Sequence, residues 1–183
     1  MPDIEPFSPR GMFHEGWTAE VNDYAIACGW ALKGKQFIVG DVAGGLFAFE
    51  GDTGKIIWEK ENIHSGGLLA MSIHPEGEIF ATSGQDGNVQ IYNCHDAKLI
   101  KTLDLGKGWV EHLKWSNDGL FLAIASSRKV FVFNELGEEK WISDEHPSTV
   151  SAITWSNKNE LATACYGRVT FFDIVNNKTN QKL

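Results

Sequence analysis

A repeat of about forty residues runs through the chain, and no other feature constrains its fold as tightly. Trp30-Ala31-Leu32-Lys33-Gly34 aligns with Ile73-His74-Pro75-Glu76-Gly77, then with Trp115-Ser116-Asn117-Asp118-Gly119 and Trp155-Ser156-Asn157-Lys158-Asn159. The successive steps are 43, 42 and 40 residues. A second column, Phe49-Glu50, Tyr92-Asn93, Phe133-Asn134 and Phe172-Asp173, steps by 43, 41 and 39. Two columns drifting together mark a repeated structural unit, which must bury its apolar face against its neighbours.

Each unit has the same local chemistry. A short apolar run (Leu68–Ile73, Val110–Trp115, Val150–Trp155) leads to a polar turn. A second run such as Phe80-Ala81-Thr82 follows, then a Gly- or Ser-rich turn, then a third run such as Val130-Phe131-Val132-Phe133. A weaker fourth run closes the unit: Ile56-Ile57-Trp58, Leu99-Ile100, Trp141-Ile142. Short β-branched and aromatic runs bounded by turn residues predict strands. Four strands per forty residues predict one propeller blade. The expected fold is therefore all-β: about four four-stranded antiparallel blades over 22–62, 63–105, 106–145 and 146–183, preceded by an N-terminal segment, 1–21.

The pattern resembles WD40 repeats from about residue 22 to the end. Ala81-Thr82-Ser83-Gly84-Gln85-Asp86-Gly87-Asn88-Val89-Gln90-Ile91-Tyr92-Asn93 carries the central signature, although no unit has a literal Trp-Asp. The resemblance implies a scaffold or adaptor that binds a protein or peptide and performs no catalysis. It also implies a larger ring, usually of about seven blades, so four units predict an incomplete one. An N-terminal portion of a longer propeller is the favoured expectation. Self-association, or a second chain completing the ring, would also cover the open ends.

The family's buried polar tetrad maps onto His64, Thr82, Asp86 and Tyr92. A His–Asp–Thr set also fits nucleophilic chemistry on paper, but the resemblance assigns it to tying a loop to two strands. Ala43, Ser127 and Tyr166 stand at the Asp position elsewhere, and His146 repeats the His alone. On the same resemblance the partner-binding face is expected at Leu69, Met71, Gln85, Glu111, Leu113 and Ser151. The Trp column, Trp30, Trp115 and Trp155, is expected in the core.

A second likeness competes over Gly45–Trp58. The tail Thr53-Gly54-Lys55-Ile56-Ile57-Trp58 resembles the blade-docking tail of quinoprotein-type propellers, faintly echoed at Gly137–Trp141. That reading implies a fragment of a quinone-dependent dehydrogenase or a cofactor-free relative. Such enzymes are usually exported and carry an adjacent cysteine pair, whereas the cysteines here stand apart at 28, 94 and 165.

Composition narrows the function classes. The net charge is −8 and the sixteen basic residues are scattered, which argues against nucleic acid, where affinity rests on clustered Lys and Arg. No CxxC and no run of 18 to 20 apolar residues occurs, and the N-terminus has no apolar signal core. The expectations are a cytoplasmic protein with no cofactor, metal, nucleic acid or membrane partner. Cys94-His95-Asp96 and His14-Glu15 are read as a turn and a surface pair.

Overall fold

A computed structural model describes residues 16–157, 160–174 and 178–180. His14 and Glu15 lie outside the described residues. Among the described residues, sixteen strands fall into four antiparallel sheets of four. The first blade comprises β1 (Ala25–Ala31), β2 (Gln36–Asp41), β3 (Leu46–Glu50) and β4 (Ile56–Lys60). The second holds β5 (Leu68–Ile73), β6 (Ile79–Gly84), β7 (Asn88–Asn93) and β8 (Leu99–Asp104). The third holds β9 (Val110–Trp115), β10 (Phe121–Ser126), β11 (Lys129–Asn134) and β12 (Glu139–Ile142). The fourth holds β13 (Val150–Asn157), β14 (Glu160–Cys165), β15 (Arg168–Asp173) and β16 (Lys178–Asn180). Each sheet runs in sequence order as a meander, and among the described residues the ring of blades is open.

The turns explain why the runs fold back. Gly34, Gly77 and Gly119 end the first turn of three successive blades with φ of +84°, +79° and +77°. These are left-handed conformations that a Cβ disfavours. At Gly119 a Cβ would also meet the His74 ring at 2.2 Å.

The core lies between blades. One apolar cluster joins Ile38, Leu46 and Ala48 to Leu68, Phe80 and Tyr92; a second joins Ala81, Val89 and Ile91 to Trp115, Leu122 and Ile124. A third joins Ala123, Val130 and Val132 to Trp155, Leu161 and Phe172. Burying each large side chain contributes about 1.5–3 kcal/mol. The Trp58 tail belongs to this docking: its indole stacks on Phe80 and donates to the Cys94 carbonyl at 2.9 Å, tying blade one to blade two.

The Trp column divides. Trp115 and Trp155 are 3% and 6% exposed, each facing the preceding blade, and Trp155 donates its indole N–H to the Lys114 carbonyl at 3.0 Å. Trp30 departs from the expected core position, being 54% exposed, because among the described residues no blade precedes blade one. The N-terminal segment covers part of that side instead. Trp17 packs on Phe37 and Phe49 and bonds to the Gly51 carbonyl at 2.8 Å, with Val21 beside it.

Candidate functional site

The first strands β1, β5, β9 and β13 contact one another in succession and form the inner edge of the ring. Each carries an irregularity at the same place. Ile26, Leu69, Glu111 and Ser151 have no partner in the register with the second strand, while the residues on either side are paired. A bulge inserts one extra residue, bends the strand and re-aims a side chain. Here it acts four times, one residue in from the same end of every blade.

Exposed aromatics stand at that end. Tyr24, Trp109 and Tyr166 are 74%, 55% and 90% exposed. Tyr24 precedes β1, and its carbonyl accepts the Val42 N–H of the β2–β3 turn at 2.9 Å. Trp109 precedes β9, and its carbonyl accepts the Ser126 hydroxyl at 3.1 Å. Tyr166 lies in the β14–β15 turn, held by its N–H on the Ser148 hydroxyl at 2.8 Å. Single exposed apolar groups are ordinary, whereas several on one surface mark a binding site.

The residues expected to form the binding face are distributed unevenly. Leu69 and Glu111 are half-buried bulge residues, Gln85 is half-buried beside Gly66, and Ser151 is exposed with its hydroxyl on the Ala164 carbonyl. Met71 is half-buried against the core joining blades one and two. Leu113 departs from expectation: it is 6% exposed and packed in the core between blades two and three, because the bulge at Glu111 turns it inward.

The polar set beneath this face is well defined in blade two. His64 is 3% exposed. Its Nδ1 lies 3.0 Å from Asp86 Oδ1, and its Nε2 lies 3.0 Å from the Thr82 hydroxyl. Asp86 also accepts the N–H groups of Ser65 and Asn88, both at 3.1 Å. Burial lowers the His64 pKa against the pull of Asp86, so the ring is neutral, its Nδ1–H donating to Asp86 and its Nε2 accepting from Thr82. Burial works to raise the Asp86 pKa, but the donors from Asn88, His64 and Ser65 outweigh it and hold the carboxyl below its usual range. Tyr92 is not bonded to Thr82. Its hydroxyl donates to the Gln90 side-chain oxygen, and burial, helped by the Asp86 charge, raises its pKa to about 12.

In blade four His146, which repeats the His position, heads a related set whose partners the sequence did not mark. His146, 5% exposed, places Nε2 at 2.9 Å from the Thr163 hydroxyl and Nδ1 at 3.1 Å from the Arg128 carbonyl of blade three. Neither set holds an exposed nucleophile, since Thr82 and Thr163 are 0% and 1% exposed. Cys94, His95 and Asp96 do not converge. Cys94 is buried, which raises its thiol pKa to about 12, while His95 points out to Glu78 at 3.1 Å.

Comparison with known proteins agrees with this architecture. Residues 51–118 match the model of the anaphase-promoting complex subunit 4 WD40 domain. WD repeat-containing protein 1 of Gallus gallus is 36% identical over 97 residues, covering 50% of this chain and 16% of that protein. A probable cytosolic Fe-S cluster assembly factor of Schizosaccharomyces pombe is 34% identical over 107 residues, covering 55% and 18%. Telomerase protein component 1 of Rattus norvegicus is 26% identical over 115 residues, covering 60% and 4%. The chain thus spans less than a fifth of the length of each of these relatives. With its forty-residue repeat folded into four meander blades, the chain is similar to the WD40-repeat proteins that these matches name.

Proposed function

We propose that this chain is a non-catalytic WD40 adaptor, a 22–183 propeller unit behind an N-terminal segment of 1–21, working in the cytoplasm. It holds a protein or peptide partner on the end of the blades that carries the four bulges. The observation that supports this reading is the coincidence of two features at one end. Ile26, Leu69, Glu111 and Ser151 are all re-aimed there by bulges, and Tyr24, Trp109 and Tyr166 are exposed around them. Aromatics of this kind supply most of the energy in small interfaces. The buried His–Thr sets beneath them are structural: they hold the turns from which the face is built.

The test compares the native chain with a Leu69→Ser/Trp109→Ala/Glu111→Ala variant in affinity capture, followed by titration of any captured protein. The expected result is a loss of binding of about 100-fold or more, with unchanged circular dichroism. Equal binding by both chains would place the interface elsewhere.

A second reading rests on the Trp58 contact, since a Thr-Gly-Lys-x-x-Trp tail docks blade one on blade two in the manner that the quinoprotein likeness implies. This reading takes the chain as a fragment of a quinoprotein-type propeller, enzymatic or cofactor-free, and ranks below the adaptor. A stoichiometric chromophore bound after adding quinone and calcium would reverse that ranking.

A further inference from the structure

The inner strands carry almost no charge. Among the described residues of β1, β5, β9 and β13 the only formal charges are Glu111 and Lys114. Glu111 is the bulge residue of β9, one residue in from the bulged end. Lys114 lies three residues further along the same strand, about 10 Å away. Glu111 is half-buried, and among the described residues its carboxylate has neither a hydrogen bond nor an ion pair. Such a group has given up part of its hydration without gaining a partner, which costs free energy until a donor or cation arrives.

Its surroundings select what can arrive. Trp109 and Glu111 stand on either side of Val110, which pairs with Ser126. Trp109 is more than half exposed, and the Ser126 hydroxyl on its carbonyl fixes its main chain. On β5, the inner strand packed against β9, the corresponding bulge residue is the half-buried Leu69. An indole face attracts a cation, an aliphatic side chain packs along the methylene stem of Lys or Arg, and a carboxylate pairs with the charged head. A basic side chain uses all three groups. An acidic one is repelled by Glu111, and an aliphatic one leaves it unpaired and further desolvated. Blade three is packed on both sides, by blade two and by blade four, so this part of the surface is built between described blades.

We infer that the partner held at the bulged end presents a lysine or arginine side chain to Glu111, its stem along Leu69 and its charged head against Trp109. This rests on the adaptor reading and names the chemistry of that partner. The wider charge distribution favours it. Each segment that leads into an inner strand brings an exposed carboxylate to this end: Asp23, Glu61, Asp104 and Asp144. Of the cations there, Arg128 is held by the His146 carbonyl at 2.7 Å and by Glu145 at 3.5 Å. Lys129 and Arg168 open third strands, two strands or about 10 Å outward. Lys107 shares its loop with Asp104, and Lys60 closes β4 beside Glu61. The net charge of −8 steers a basic partner toward the chain.

Titration of the 183-residue chain with four blocked pentapeptides tests it. Each is acetyl-Ala-Ala-X-Ala-Ala-amide, with Arg, Lys, Gln or Glu at X, added to millimolar concentration. Binding is read by NMR at the Trp109 indole N–H, assigned by the loss of its signal in Trp109→Phe. The Arg and Lys peptides should shift that signal saturably, and the Gln and Glu peptides should not. Glu111→Gln, which keeps the shape and removes the charge, should weaken the Arg peptide by about tenfold with unchanged circular dichroism. Asp144→Asn, on the exposed rim, should change it by less than about twofold. Silence from all four peptides would overturn the inference. So would equal shifts by the Arg and Gln peptides, or a Glu111→Gln chain that binds the Arg peptide as the native chain does. The adaptor reading falls on a different result, equal protein capture by the native and Leu69→Ser/Trp109→Ala/Glu111→Ala chains, so the two failures are distinguishable.

Discussion

The second and fourth blades solve one problem with different materials. In each, a buried histidine bonds a strand threonine, at 3.0 Å for His64–Thr82 and 2.9 Å for His146–Thr163. The third partner differs. Blade two uses the Asp86 carboxylate, which also gathers the Ser65 and Asn88 N–H groups. Blade four uses the Arg128 carbonyl, borrowed from blade three. The shared requirement is an acceptor for one ring nitrogen and a hydroxyl for the other, and a backbone carbonyl serves as well as a carboxylate. The electrostatic consequence differs: blade two contains a buried charge-assisted network, whereas blade four depends on its neighbour's main chain.

The comparison can be broken most forcefully at the joint that holds blade four. Trp155→Ala should cost about 3–5 kcal/mol, since the indole is buried between blades three and four and bonded to Lys114. The same change at Trp30, 54% exposed and packed on Phe37 alone among the rings, should cost far less. Calorimetry of the two variants separates these outcomes.

Asp86→Ala comes next. It removes the acceptor of three donors around a buried ring, and hydrogen bonds to charged groups are worth about 1.5–3 kcal/mol each in net terms. With solvent reaching the carboxylate, a loss of about 2–3 kcal/mol and of roughly 5–10 °C in midpoint is expected. Asp86→Asn, which keeps acceptor oxygen but not charge, should lose less.

Thr82→Val and Thr163→Val each strip a hydroxyl from a buried ring nitrogen. Each should cost about 1–2 kcal/mol, and the two losses should be similar, because this is the part of the set that both blades share. Unequal losses would show that the two sets are not equivalent.

The smallest effect is the pH dependence, and it sharpens the electrostatic difference. The folded pKa of His64 is lowered, so the unfolded chain takes up a proton first as pH falls below about 6.5, and stability drops from there. Asp86 is also lowered, so its contribution is present above its unfolded value near 4 and is lost as pH falls through the folded one. Both act in the same direction: acid weakens blade two. Midpoints measured from neutral to acid pH should fall less steeply when His64 is replaced by Gln than in the native chain.

The blades were legible in the sequence because turn residues and apolar runs recur together, and the quoted runs fall within strands such as β5, β9 and β11. Thr82 and Asp86 could be picked out because they sit in the segment with the fullest repeat signature, and His64 because the resemblance implies a histidine ahead of it. The link to Tyr92 did not follow, since its hydroxyl reaches Gln90 instead. The His146–Thr163 pair was hidden because its third partner is a carbonyl, a group every residue carries and no sequence pattern marks. The bulges were equally silent: a one-residue slip in register depends on both strands, and Leu113 reads as a face residue until the bulge at Glu111 turns it into the core. Trp30 looks the same as Trp115 in sequence, and only the absence of a preceding blade among the described residues separates them.

The central claim is that the bulged, aromatic end of the blades is the working surface. Its most direct test is affinity capture with three chains in parallel: the native protein, a Tyr24→Ser/Trp109→Ser/Tyr166→Ser variant, and a variant altered at the opposite end at Glu76 and Asn117, both exposed. The account predicts a protein captured by the native chain and by the Glu76/Asn117 variant but lost from the aromatic variant. Identical capture by all three, or loss from the Glu76/Asn117 variant alone, would contradict it.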